Sequence, residues 1–203
     1  MQPSPSPAEY ARACVEALVQ GRAIPEAPAD GFYGRLAACF VSIHRRGGDL
    51  RGCIGTLEPC EPTLGAEIAR NACAAAFRDP RFYPVGAAEL ADLDYSVDVL
   101  GAIEPTTLDQ LDPRRYGVVV SAGSRRGVLL PDLPTVRTVR DQVAIALQKA
   151  GIAPSERFDV GRFTVERYAE GAGGAESRDS DATRGSAESD GRTEAQNGTE
   201  AGL

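Results

Sequence analysis

The chain has one histidine, His44, and one of its five cysteines, Cys53, lies close enough to share a hairpin with it. Between them runs Arg45-Arg46-Gly47-Gly48-Asp49, a stretch built for a turn. With Gly47-Gly48 as a two-residue turn, Ser42 faces Cys53 and His44 faces Arg51. One face of the ribbon then carries Ser42, His44, Arg51 and Cys53. Val41, Ile43, Leu50 and Ile54 point the other way, toward a core. The Cα atoms of His44 and Cys53 fall on a diagonal of about 7–8 Å. An odd loop would flip one strand and break this grouping.

A thiol beside a guanidinium and an imidazole suits nucleophilic catalysis. Arg51 favours the thiolate of Cys53, and His44 serves as general base. Gly52 and Gly55 flank the cysteine, where missing side chains allow a ligand or another backbone to come close. The plainer alternative is that Cys53 packs as a small hydrophobe, His44 sits near a turn and the glycines mark a bulge. Asp79-Pro80-Arg81-Phe82 is the second candidate. Arg81, with Asp79, either binds an anionic substrate or pins a turn as an ion pair. Asp98, between Val97 and Val99, is expected to face away from the core.

No metal centre is expected. The cysteines match no zinc spacing, although Cys53, His44 and a carboxylate could meet in space. Phosphate-cradling glycine loops and Gly-x-Ser-x-Gly elbows are absent. An odd cysteine count without paired spacing points to free thiols in a reducing compartment.

The elements that must position these residues are readable. Ser6 and Glu9 form a capping box with Pro7 in the first turn, opening a helix that Gly21 ends. Residues 36–44 and 50–57 pair as strands. Leu64, Ile68, Ala72 and Ala76 recur at helical spacing over about 63–77. Residues 89–93 form a short helix, and Tyr95, Val97 and Val99 alternate as a strand. A second hairpin joins 117–121 to 127–130. Thr138 and Asp141 cap a helix that stops at Gly151, and a strand around Phe163 and Val165 closes the fold. Mixed helices and hairpins predict an α+β fold with a largely antiparallel sheet flanked by helices.

Residues 169–203 hold eight acids and three bases, so most of the net charge of −7 sits there and residues 1–168 are near neutral. That segment lacks aromatics and apolar periodicity and is expected to be a disordered acidic tail, with a disordered lead over residues 1–7. Near-neutrality of the body argues against general nucleic-acid binding. No apolar run suits a bilayer and no secretion signal opens the chain, so a cytoplasmic location without membrane contact is expected.

Several blocks together carry a resemblance. Phe40-Val41-Ser42-Ile43-His44 with Leu50-Arg51-Gly52-Cys53-Ile54-Gly55-Thr56-Leu57-Glu58-Pro59 resembles the hallmark segment of the AMMECR family. Asn71-Ala72, Ala75-Ala76-Phe77 and Asp79-Pro80-Arg81-Phe82 are similar to its second block. Ser96–Leu100, Gly117–Val120, Leu129-Leu130-Pro131-Asp132 and Gln148–Ile152 follow in family order. The likeness spans about 8–168, and its ending is most similar to the prokaryotic branch called AmmeMemoRadiSam system protein A. Gly101-Ala102-Ile103-Glu104-Pro105 departs from the family pattern of Ser and Pro. The resemblance implies a larger and a smaller lobe with a cleft near Arg51–Gly55. It further implies a pathway shared with a Memo-like protein and a radical S-adenosylmethionine enzyme. It names no reaction, substrate or cofactor.

Two readings therefore stand. In the first, the protein is a cysteine-dependent enzyme or catalytic subunit, with Cys53 as nucleophile, His44 as base, and Arg51 and Arg81 as anion binders beside Ser42, Gly52, Gly55 and Asp79. In the second, it is a non-catalytic module that binds substrate or bridges partners.

Overall fold

The structure is a computed structural model that describes residues 4–170. The expected acidic tail beyond Glu170, and the first three residues of the expected lead, lie outside the described residues. Ser6 and Pro7 belong to the first helix cap, and the Pro5 carbonyl accepts a hydrogen bond from Tyr33 Oη at 2.6 Å.

Helix α1 (Pro7–Val19) opens with the expected capping box: Ser6 Oγ accepts from Glu9 N–H, and the Glu9 carboxylate accepts from Ser6 N–H. A short α2 (Gly31–Gly34) precedes β1 (Cys39–Arg45) and β2 (Leu50–Gly55). Helix α3 (Leu64–Phe77) is capped by Thr63. After a 3-10 turn at Ala87–Asp92 come β3 (Leu93–Leu100), β4 (Glu104–Pro105), β5 (Gly117–Ala122) and β6 (Arg125–Leu129). Helix α4 (Val139–Ala150) starts at the Thr138 cap and stops at Gly151, whose φ of +66° only glycine adopts at little cost. Strands β7 (Asp159–Phe163) and β8 (Val165–Ala169) finish the described chain.

The strands form two antiparallel sheets, β2-β1-β3-β8 and β4-β7-β5-β6. Helices α1 and α3 cover one face of the first sheet, burying Val15, Ile68 and Ala72 against Val41, Ile43 and Val97. Helix α4 covers the second sheet through Val143, Ala146 and Leu147. The architecture is α+β with a larger and a smaller lobe.

The expected single closing strand is two. Only Thr164 separates β7, in the second sheet, from β8, in the first. The chain leaves the first lobe beside that point, where Gly101 N–H donates to Thr164 C=O at 2.9 Å. A Cβ on Gly101 would lie 2.4 Å from Thr164 Oγ1, which gives the glycine of the departing segment a packing role at the crossing. A third cluster, with Leu100, Val119 and Phe163 buried and Phe40 packed on them, joins the lobes. Among the described residues no helix is long and apolar enough to cross a membrane.

Candidate functional site

Ser42 pairs with Cys53 across β1 and β2 as the alternation predicts. Arg45 N–H donates to Asp49 C=O, leaving the odd loop 46–48 with Gly47 and Gly48 at φ of +110° and +100°. That odd loop would misplace every side chain of β2, but a bulge at Arg51 restores the register. His44 pairs with Leu50, and Ile43 already pairs with Gly52. The pairing of His44 with Arg51 is thus corrected. Leu50, expected in the core, is 37% exposed, and Arg51, expected on the open face, is 5% exposed.

Arg51 is held beneath the hairpin. Its Nε and Nη2 donate to the two Glu89 carboxylate oxygens at 2.8 Å each, and Nη2 reaches Pro84 C=O. The Arg51 and Arg81 guanidinium groups both approach the Phe82 ring, 5.9 and 5.4 Å from its centroid. Arg51 is therefore a buried cation whose Nε and Nη2 are committed to Glu89. Gly52 and Gly55 are also accounted for by packing. A Cβ on Gly52 would lie 2.3 Å from the Ala75 carbonyl oxygen of α3, and one on Gly55 equally close to the Phe40 ring. The second backbone that Gly52 admits is α3.

Cys53 itself lies on the face away from α3. Its N–H points out of the sheet to Asp79 Oδ2 at 2.9 Å, and its C=O accepts from Arg81 Nη2 at 3.3 Å. Asp79 and Arg81 thereby take the place of a neighbouring strand along the free edge of β2. With its backbone groups turned outward, Cys53 forms a non-hydrogen-bonded pair with Ser42, which brings the side chains together. Ser42 Oγ donates to Cys53 Sγ at 3.2 Å. Cys53 as a residue is half-buried.

Asp79 does not offer an open ligand group. Its side chain is 1% exposed and chelated by Arg81 Nε and Nη2 at 2.9 and 2.6 Å. The Arg81 hydrogen bonds, with those from Cys53 N–H and Arg81 N–H, hold this carboxyl well below the usual carboxylate range. A depressed folded-state pKa stabilises the fold above the unfolded value of about 3.9 and loses that contribution as pH falls below it. Glu89 is lowered in the same sense, chiefly by Arg51. Stability is therefore expected to drop as pH falls below about 4. Asp79→Asn should flatten that acid limb, as read from urea midpoints at stepped pH; an unchanged limb would contradict the clamp.

His44 shares the open face with Ser42, because β1 stays regular against β3 from Cys39 to Arg45. Its backbone partners are Leu50 and Asp94, and among the described residues no hydrogen bond joins it to the thiol. It lines an open groove of ≈ 690 Å³ that runs past Asp94 and Ser96 to Arg167. Asp98 does leave the aliphatic side of β3, yet it is only 2% exposed. Arg167 of β8 closes over it with Nε and Nη2 donating at 2.6 and 2.8 Å.

Arg167 was not singled out by spacing or type. Its partner stands 69 positions away on another strand, and only the pairing of Asp98 with Arg167 across β3 and β8 brings them together. Next to this pair, Asp132 is a non-glycine residue at φ +55° and lies within Coulomb reach of Arg167. Among the described residues no three His, Cys, Asp or Glu side chains gather as a metal-binding group.

These blocks, in this fold, match a known family: the model described as AMMECR1 aligns with residues 8–170. The chain belongs to the AMMECR1 family. Relatives of this AMMECR1 chain include Protein CA_C1420 of Clostridium acetobutylicum, 44% identical over 168 residues, covering 79% of this chain and 36% of the relative. This chain thus spans about a third of the Clostridium protein. A Thermotoga maritima protein is 48% identical over 145 residues, covering 70% of this chain and 83% of its own. Among solved structures, the uncharacterized protein PH0010 from Pyrococcus horikoshii superposes with a TM-score of 0.74 at 28% identity, covering 81% of this chain and 90% of that one. The AMMECR1 match ends at Glu170, whose carboxylate pairs with Arg12 and accepts from Tyr95 N–H.

Proposed function

We propose that this AMMECR1-family protein is a cysteine-dependent enzyme or catalytic subunit in which Cys53 bonds covalently to substrate. One observation carries the reading: Cys53 is half-buried, not sealed in the core like Cys14 and Cys39, and its thiol accepts a hydrogen bond from Ser42. Arg81 hydrogen-bonds the Cys53 carbonyl and places positive charge within Coulomb reach of the sulfur. Cys14, Cys39 and Cys73 differ. Burial pushes Cys14 and Cys39 up to about 12 and raises Cys73, so all three are poor nucleophiles.

The likeness to AmmeMemoRadiSam system protein A extends the proposal to a modification pathway in the cytoplasm, shared with a Memo-like protein and a radical S-adenosylmethionine enzyme. The length of the Clostridium relative supports action beside another protein unit, since most of that chain lies outside the shared domain. A second reading, a substrate-binding or bridging module without catalysis, draws on one feature. No imidazole or carboxylate hydrogen-bonds the sulfur among the described residues, so a general base is not in place.

Thiol labelling separates the two. Under native conditions Cys53 and the exposed Cys60 are expected to react with iodoacetamide at least about tenfold faster than Cys14, Cys39 and Cys73, followed by peptide mass spectrometry. Cys53→Ser should keep the thermal midpoint and abolish pathway output in a complemented deletion strain. Full output from Cys53→Ser would sink the catalytic reading and leave the binding module.

A further inference from the structure

Arg81 and Arg167 reach the Cys53 face from opposite sides. Arg81 stands beyond the free edge of β2, and Arg167 rises from β8, the strand at the far edge of the same sheet. Both are anchored in one way. Nε and Nη2 hold a carboxylate hidden from solvent, Asp79 at 1% and Asp98 at 3% side-chain exposure. The arginine side chains themselves are 54% and 51% exposed, and among the described residues nothing takes Nη1 of either.

A guanidinium clamped along one edge presents its other edge in a fixed direction. The rotamer freedom that a ligand would otherwise have to remove is already gone on folding. Between the two arginines, Cys53, Ser42, Ser96 and Ala169 align across the four strands. Ser96 and Ala169 line the groove from His44 to Arg167, and Ser42 and Cys53 extend the same row of short side chains, a trough leading toward Arg81.

We propose that Arg167 is a substrate-binding residue whose outward guanidinium edge takes a carboxylate of a small substrate laid across this trough, with its reacting carbon at Cys53 Sγ. The proposal rests on the cysteine-dependent reading and names its substrate class. The count of free donors sets that class. Arg12, which lines the same groove, is taken by Glu170, so the one free guanidinium edge of Arg167 has room for one carboxylate. Arg167 thus takes the role that spacing gave to Arg51, which is committed to Glu89.

Iodoacetate and iodoacetamide test this directly on the full chain. Both form a C–S bond as iodide leaves, and they differ in carrying a carboxylate or a neutral amide. The ratio of iodoacetate to iodoacetamide rates at Cys53 should exceed that at Cys60 by about tenfold, the size of one charge-assisted hydrogen bond. Cys60, exposed between Glu58 and Glu61, is the internal reference. Arg167→Gln should bring the Cys53 ratio to the Cys60 value and leave the iodoacetamide rate within about twofold.

The double variant Asp98→Asn with Arg167→Gln removes both charges and should give the same loss, even where the single variant loosens the sheet by stranding Asp98. A Cys53 ratio equal to that of Cys60, or one that survives both substitutions, overturns the carboxylate site. A Cys53 as inert to iodoacetamide as Cys14 overturns the cysteine reading itself, so the two failures are told apart.

Discussion

Glu89→Ala is expected to cost about 3–5 kcal/mol of folding stability, more than removal of its partner by Arg51→Met, at about 1–2 kcal/mol. The asymmetry follows from which charge is left behind. Without Glu89, Arg51 remains 6% exposed with its Nε unpaired and Nη2 left only the Pro84 carbonyl, and its Nη1 is already buried without a partner. Without Arg51, Glu89 is 27% exposed, water reaches it, and Arg45 stands 3.9 Å away as a replacement cation. Methionine also fills much of the vacated volume. Urea titration at neutral pH measures both, and for a chain of this size Glu89→Ala should lower the thermal midpoint by roughly 10 °C. Arg51→Met combined with Glu89→Leu should recover most of the loss, since a well-packed apolar pair can replace a buried ion pair. Equal costs for the two single variants would mean that Arg51 finds water or another acceptor in solution.

This pair also shows where reading from sequence runs out. Caps and periodic stripes are local, so α1 and α4 were legible from Ser6 and Thr138, and α3 from the spacing of its apolar residues. The pairing of Ser42 with Cys53 was legible too, because alternation fixes it once the core face is known. The bulge was not. An odd loop followed by one extra residue leaves the register beyond Gly52 unchanged, so the pattern from Ser42 to Ile54 looks the same with or without it. What changes is only the stretch between, where Leu50 and Arg51 exchange environments. Long-range ion pairs leave no periodic trace either. Arg167 meets Asp98 because β8 returns to the first sheet after a single residue at Thr164, and a run from Asp159 to Ala169 reads as one strand.

Gly52→Ala is expected to lose about 3 kcal/mol and to alter Cys53 chemistry in the same step. The added carbon would lie 2.3 Å from the Ala75 carbonyl oxygen and 3.1 Å from its carbon. Both are helix backbone, which cannot rotate aside as a side chain can, so α3 and β2 must move apart by about 1 Å. That gap weakens dispersion contacts along the interface where Ala72, Ala75 and Ala76 let the helix sit close. It also carries β2 away from the groups that define the site. The contact of Ser42 Oγ with Cys53 Sγ and the 2.9 Å bond from Cys53 N–H to Asp79 share that strand. Cys53 labelling should therefore change along with the thermal midpoint. Gly48→Ala is the matched comparison, with φ of +100° but open space around it. It should cost only about 1–2 kcal/mol of backbone strain and leave Cys53 labelling as it was. A stable Gly52→Ala protein that nevertheless loses pathway output would return this glycine to the ligand side of the account. In that case the approach that matters would be that of a substrate, and α3 would have to accommodate the methyl group by a shift too small to disturb the core.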